Sequence, residues 1–237
     1  MSSKSKSKKN ENFYELPPLP SIRLEKQKLA DSVYDVISDY IVSGKLKQGQ
    51  RLREAKVAQG LDVSRTPVRE AFARLENERL LERDPTGAYL VTTWDRSQLL
   101  ELATVRSTLE CLAARIVTEK LELQDYDYLQ SLINRMDTAY QREDFPNLVD
   151  LDISFHSYLW EKTGLELLRD LLESIKIQVL YFMYLTLPGD EEEYAGMHQT
   201  LLDVFKERDP EKAVLAMRQH IIPTTEEAVR KLNWENS

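Results

Sequence analysis

Apolar and polar positions along the chain fall into two regimes. Between residues 26 and 43, Leu29, Val33, Val36, Ile37, Tyr40 and Ile41 recur at three- and four-residue spacing, which predicts an amphipathic helix that Gly44 ends. A loop containing Gly49 follows, and Ala55, Val57, Ala58 and Leu61 predict the buried side of a short second helix over about 53–61. Asp62, Val63 and Ser64 form a tight turn. Ser64 suits an N-cap, its hydroxyl available to the first free amides, and Pro67 sits in the first turn, where its missing N–H costs nothing. The third helix is expected to reach about residue 79 with Val68, Ala71, Phe72 and Leu75 as its inner stripe. Residues 80–83 and 88–91 then read as two short strands joined by a turn over 84–87 that contains Pro85 and Gly87.

Beyond Trp94 the three- and four-residue spacing runs on without strands. Helices are expected near 97–119, 125–142, 145–162, 165–187, 190–208 and 210–233. The breaks fall at Leu123-Gln124, Asp144, Gly164, Pro188-Gly189 and Asp209-Pro210, the last an N-cap followed by a first-turn proline. The fold class expected is therefore mainly α: an N-terminal winged helix-turn-helix, three helices and a hairpin, plus a C-terminal all-helical antiparallel bundle. The division expected is 1–22 as a disordered basic arm, 23–95 as the winged helix and 96–237 as the helical domain. The arm opens on Ser and Lys and continues as Leu-Pro-Pro-Leu-Pro over 16–20, a run without core prospects. It is read as a solvated tail in preference to a strand of cations along DNA.

Composition agrees with two packed domains: 42% of the 237 residues are hydrophobic, too many for wholesale disorder. One cysteine, Cys111, excludes an intrachain disulfide and a thiolate metal cluster, and fits a reducing, cytoplasmic setting. No signal peptide is evident at the N-terminus, and no apolar run approaches the roughly 20 residues of a membrane span. The net charge of −8 argues against a nucleic-acid partner until its distribution is considered. Residues 1–95 carry 17 Lys+Arg against 14 Asp+Glu, whereas 96–237 carry 15 against 26. A mildly basic head on an acidic body suits an anionic partner for the head alone.

The third helix carries the chemistry of the head. Arg65 and Arg69 are four residues apart and share a face with Thr66, opposite Val68 and Phe72. A guanidinium can bond guanine O6 and N7 together, and helix-start amides can hold a phosphate. A solvated arginine face is the plainer reading of the pair by itself. The order around it decides: two helices, a tight turn, a third helix and a Gly-tipped hairpin.

Gly44, Leu46, Gly49, Leu52, Arg53 and Glu54, then Val63, Ser64, Arg65, Thr66, Pro67, Val68, Arg69, Glu70 and Ala71, then Leu75, Glu78, Leu80, Pro85 and Gly87 resemble the GntR-type winged helix over residues 29–92. The resemblance implies DNA contacts from Arg65, Thr66 and Arg69, with Ser64 and the wing residue Gly87 commonly joining them. The basic residue some members place near the start of the second helix is Ala55 here, with Lys56 beside it. A homodimer on a short inverted repeat of double-stranded DNA is implied as well.

Three histidines are present in all. Asp152 and His156 are four apart on one helix, and His198 and His220 fall on two later ones. Their spacing allows convergence inside a bundle, and equally allows plain core or surface residues. Asp152, His156, Gly164, His198, Asp203, Asp209, Pro210, Ala213, Met217 and His220 resemble the FCD effector domain of the fatty-acid-regulator branch of the GntR family, over residues 97–233. That resemblance implies a divalent metal on Asp152, His156, His198 and His220, of a kind an imidazole-rich set with one carboxylate suits: Zn, Ni, Mn or Fe. It also implies a small organic acid effector, for which Arg106 is a candidate partner through a two-bond guanidinium clamp. An ion pair of Arg106 with Glu110, one turn on, is the competing reading. The family's Gly-Asn is Gly164-Leu165 here, and Met197 replaces its acidic residue before the histidine.

The function expected is ligand-responsive, sequence-specific transcription regulation and not catalysis. A metal-dependent hydrolase in the helical domain is the alternative, since a protein-held ion can keep positions open to water. The chain has neither a His-Glu-x-x-His motif nor a nucleophile motif. An interaction protein with an inert metal is a third reading of the helical half.

Overall fold

The computed structural model describes residues 24–186 and 194–231. The basic arm over 1–22 and the break at Pro188-Gly189 lie outside the described residues. Helix α1 (Leu24–Val42) buries Val33, Tyr34, Ile37, Ser38, Ile41 and Val42, while Leu29 and Tyr40 are exposed and Val36 half-buried. The stripe is thus rotated from the expected one. Tyr34 is the reason: its ring lies 3.6 Å beneath the Arg74 guanidinium and its hydroxyl donates to Glu78, so a tyrosine with a charged cover and an acceptor is buried.

Helix α2 (Glu54–Gly60) buries Ala58 alone; Val57 and Leu61 are half-buried and Ala55 is exposed, contrary to expectation. Two turns of helix lying against one neighbour need only one inward row. Asp62, at φ 52, makes the turn into α3 (Arg65–Asn77), which buries Val68, Ala71, Phe72 and Leu75 as expected and Pro67 in addition. Ser64 occupies the N-cap position with extended backbone, yet its side chain makes no capping hydrogen bond.

Strands β2 (Leu81–Arg83) and β3 (Tyr89–Val91) form the hairpin, one residue shorter each than expected. A third strand, β1 (Arg51–Leu52), pairs antiparallel with β3, giving the order β1-β3-β2 with Arg51 opposite Leu90 and Leu81 opposite Val91. Phe72 meets Tyr89 edge to face, centroids 4.9 Å apart, and so fixes α3 against the hairpin.

The remaining helices are α4 (Arg96–Lys120), α5 (Leu123–Gln141), α6 (Phe145–Thr163), α7 (Glu166–Thr186), α8 (Tyr194–Lys206) and α9 (Pro210–Lys231). Asp95 and Gln98 cap α4 reciprocally, with bonds of 2.8 and 2.9 Å. Asp144 and Asp209 cap α6 and α9, and Gly164, at φ +70, closes α6 in the left-handed region. Leu123 opens α5 instead of breaking the chain, because Glu122 and Asp125 form the capping pair. α4 packs against α9, α6 and α7, and α5 against α6 and α8. Leu129, Leu132, Met136, Leu148, Phe155, Leu159, Leu202, Phe205 and Met217 fill this bundle.

Among the described residues three helices belong to both cores. α4 places Leu99 in the core of the winged helix and Leu102, Ala114 and Val117 in that of the bundle. α7 places Val179 and Met183 in the bundle core and Tyr181 in the core of the winged helix. Burial lifts the Tyr181 hydroxyl to about 12. α9 places Met217 and Ile221 in the bundle and Val229 in the winged-helix core. Pro223, inside α9, cannot donate to the carbonyl one turn back. Thr224 Oγ1 donates to the His220 carbonyl at 2.6 Å and Thr225 Oγ1 to that of Ile221 at 2.8 Å, which supports the backbone beside the interruption.

Candidate functional site

The outer face of α3 is built by what its inner face buries. With Val68 and Phe72 fully inside, Ser64, Arg65, Thr66 and Arg69 are all exposed. Arg69 donates from Nε and Nη2 to Glu54 Oε2 at 3.4 and 3.3 Å, across the helix-turn-helix. Gly87, at φ +79, stands at the exposed tip of the wing, a backbone conformation side chains rarely adopt. The wing turn is held by Asp84, whose carboxylate accepts from Thr86 Oγ1 at 2.6 Å and from the amides of Thr86 and Ala88 at 2.8 and 3.0 Å. Those bonds, the Thr86 hydroxyl foremost, and Arg51 at 3.0 Å hold its pKa below the ordinary carboxylate value. Lys56 and Ala55 are both exposed near the start of α2.

The second site lies inside the bundle. α6 supplies Asp152 and His156, α8 His198 and α9 His220, and one ligand-type atom from each lies within 4.8 Å of all the others. Asp152, His156 and His198 are buried, and His220 is half-buried with its Nδ1 shielded from solvent and without a hydrogen-bond partner. His198 Nε2 lies 3.0 Å from Asp152 Oδ2, and the Nε2 atoms of His156 and His220 face each other at 3.2 Å. Imidazole nitrogens turned toward one another around a buried carboxylate are a donor set that fits a divalent ion.

Burial, with the neighbouring His198 and His156, pushes the His220 pKa well below 6.5, so its ring stays neutral. Burial also opposes ionisation of Asp152, but His198, His156 and Arg106 outweigh it and hold the carboxyl well below the usual range. Arg106 from α4 is mostly buried; its Nε lies 3.5 Å from Glu110 Oε1 and its Nη2 3.9 Å from Asp152 Oδ1. The ion pair with Glu110 is therefore present, and the same guanidinium also borders the cluster.

Glu110 is fully buried and meets His156 Nδ1 at 3.1 Å and the Trp160 indole N–H at 2.9 Å. Sequence reasoning takes Glu110 as an ion-pair partner for Arg106, or by assumption alone as a base in the hydrolase alternative, and does not single out Trp160. The available signal was helical: Trp160 is one turn beyond His156, and Glu110 one turn beyond Arg106. Of the two departures, Leu165 is exposed and Met197 receives the Thr224 hydroxyl on its sulfur at 3.5 Å.

Comparison with known proteins places both halves. Residues 29–91 match the family of bacterial regulatory proteins, gntR family, and residues 101–222 match the FCD domain. The HTH-type transcriptional regulator McbR of Escherichia coli K12 is 28% identical over 71% of this chain and 78% of its own length. The HTH-type transcriptional repressor RspR of the same strain is 26% identical over 89% of this chain and 93% of its own. Among solved structures, E. coli McbR/YncC superposes with a TM-score of 0.72 at 23% identity, covering 86% of this chain and 99% of that one. A putative GntR regulator from Rhodococcus sp. RHA1 gives 0.73 at 21%, covering 87% and 100%. These relatives are regulators, not enzymes, and they lend the hydrolase alternative no support. Among the described residues no helix is long and apolar enough to cross a membrane. The chain belongs to the GntR family of bacterial transcription regulators, as a DNA-binding winged helix followed by an FCD domain.

Proposed function

We propose that this regulator binds its operator through Ser64, Arg65, Thr66, Arg69 and Gly87, and that a small carboxylate acting beside a divalent ion modulates that binding. Asp152, His156, His198 and His220 would hold the ion, which is one of Zn, Ni, Mn or Fe, and Arg106 would engage the acid. The observation that carries the reading is the convergence of four ligand atoms within 4.8 Å with a mostly buried guanidinium beside them. A bound ion would supply a positive centre for one end of the acid and Arg106 a second.

The division proposed is 23–95 as the DNA-binding head and 96–237 as the effector domain, with 1–22 as the arm; Leu99, Tyr181 and Val229 of the helical part also pack into the core of the head. A homodimer on an inverted repeat suits a head with one recognition helix, which reads only a few base pairs. Exposed Val105 and Leu112 on α4, and Leu171 on the adjoining α7, support an apolar contact between copies. A cytoplasmic location accords with the function. α9 carries both His220 and Val229, so one helix joins the candidate ion site to the core of the head.

Metal analysis of protein purified without added ions, paired with native mass spectrometry, tests the site. About one ion per chain is expected, from the one cluster of four ligand-type residues found among the described residues. His156→Ala and His220→Ala variants that keep wild-type metal content would show the ligands are misassigned.

A further inference from the structure

We propose that Glu110 is a positioning residue for the metal: it fixes the tautomer of His156, so that the ring presents a bare Nε2 to the ion. The inference rests on the metal reading above. Glu110 is fully buried; Trp160 Nε1 donates to it at 2.9 Å and Arg106 Nε at 3.5 Å, and its Oε1 stands 3.1 Å from His156 Nδ1, within reach though not aligned as a hydrogen bond in the metal-free arrangement. A carboxylate can only accept. The proton of a neutral His156 ring therefore belongs on Nδ1, and its Nε2 carries the lone pair. That Nε2 points into the cluster, 3.2 Å from His220 Nε2 and 4.0 Å from Asp152 Oδ1.

The two rings are consequently inequivalent. His156 is preset as a ligand, and His220 is the donor of the ring-to-ring contact in the metal-free state. Trp160, from the same helix α6 as His156, and Arg106, one turn back on Glu110's own helix α4, also hold the carboxylate at this place. A carboxylate in this place orients the ring, and losing such an outer partner typically weakens metal affinity 10–100-fold. A carboxylate that only neutralised Arg106 would leave the ring's tautomer unset.

Glu110→Gln separates these roles. A Gln oxygen can accept from Trp160 or from His156, but its amide nitrogen then faces the other donor. Zn2+ affinity is to be measured on full-length protein by chelator competition, and the imidazole 15N shifts on metal-free protein. The expected results are an Nδ1–H tautomer for His156 in the wild type and a loss of about 10–100-fold in Zn2+ affinity in Glu110→Gln. Part of that affinity should return in the Glu110→Gln/Trp160→Phe double variant, where the amide oxygen is left to His156 alone. Wild-type affinity in Glu110→Gln overturns the proposal, as does an Nε2–H tautomer in the metal-free wild type. Should Glu110→Gln not fold, the wild-type tautomer decides by itself. A wild type that takes up no Zn2+ overturns the metal reading and this proposal together, whereas Zn2+ uptake with an indifferent Glu110 overturns this proposal alone.

Discussion

Arg69 on α3 donates to Glu54 at the first residue of α2, with Nη2 3.3 Å from Oε2. The pair is exposed, and such pairs contribute about 0–1 kcal/mol, so Glu54 aims the guanidinium without committing it. Arg69→Ala and Arg65→Ala are each expected to cost about 1–3 kcal/mol of specific binding if their forks read guanine. Glu54→Gln is expected to tighten DNA binding slightly, by less than about 1 kcal/mol, because it releases Arg69 and removes an anion beside the proposed reading face. Fluorescence anisotropy on an operator selected in vitro, repeated across salt concentrations, checks all three. An unchanged affinity and salt slope in the double arginine variant would take α3 out of the recognition scheme.

Phe72 is fully buried and joins α3 to β3 through Tyr89. Phe72→Ala removes both a buried ring and that contact, and is expected to destabilise the head by about 3–5 kcal/mol. Arg65→Ala, on the exposed face, should leave stability within about 0.5 kcal/mol. Urea unfolding followed by circular dichroism distinguishes them, and similar midpoints for the two variants would contradict the assignment of the two faces.

The helices were legible where a continuous apolar row met a local stop signal. Val68, Ala71, Phe72 and Leu75 gave α3, and Asp144, Gly164 and Asp209 are capping residues whose chemistry is local. The phase of α1 was not legible, because Tyr34 is buried by Arg74 and Glu78, some 40 residues away in the chain. β1 was invisible for a like reason: two residues show no alternation, and their partner strand lies beyond two helices. At the candidate ion site, four ligand-type residues could be named from the family pattern. Glu110 could be paired only with Arg106, one turn back; its approach to His156 joins α4 to α6 and leaves no mark in the spacing of either.

Acid should weaken the helical domain through Asp125. Its carboxylate accepts from Tyr158 at 2.6 Å and from the Glu122 amide at 2.8 Å, and pairs with Lys162. Burial raises its pKa, but Lys162, Tyr158 and the Glu122 amide outweigh burial and lower it below the ordinary value of about 3.9. A folded-state pKa below the unfolded one stabilises above the unfolded value, and that contribution is lost as pH falls through the folded one. Thermal midpoints should therefore decline more steeply below about pH 4 in the wild type than in Asp125→Asn. Parallel declines in the two proteins would remove Asp125 from the acid response.

His220 and Val229 stand on α9 either side of Pro223, one in the ion cluster and the other in the core of the head. A ligand at the cluster can alter DNA affinity only by binding the DNA-competent and incompetent arrangements unequally. If α9 differs between those arrangements, the interrupted hydrogen bond at Pro223 is where its two ends can move separately. Linkage then requires operator DNA to change the affinity of the ion, or of the acid beside it, by the same factor that the ligand changes operator affinity. A coupling of about 1–3 kcal/mol, or roughly 5–150-fold, is the expected size, in either direction. Zn2+ affinity should be measured by chelator competition with and without the selected operator, then again in Pro223→Ala, which restores the donor and stiffens α9. The two wild-type affinities should differ, and Pro223→Ala should change their ratio while leaving Zn2+ affinity without DNA close to wild type. Equal wild-type affinities would sink the coupling even if the ion binds tightly. A ratio unaltered by Pro223→Ala would leave the coupling in place and move its route from α9 to α7 or α4, whose Tyr181 and Leu99 also enter the core of the head.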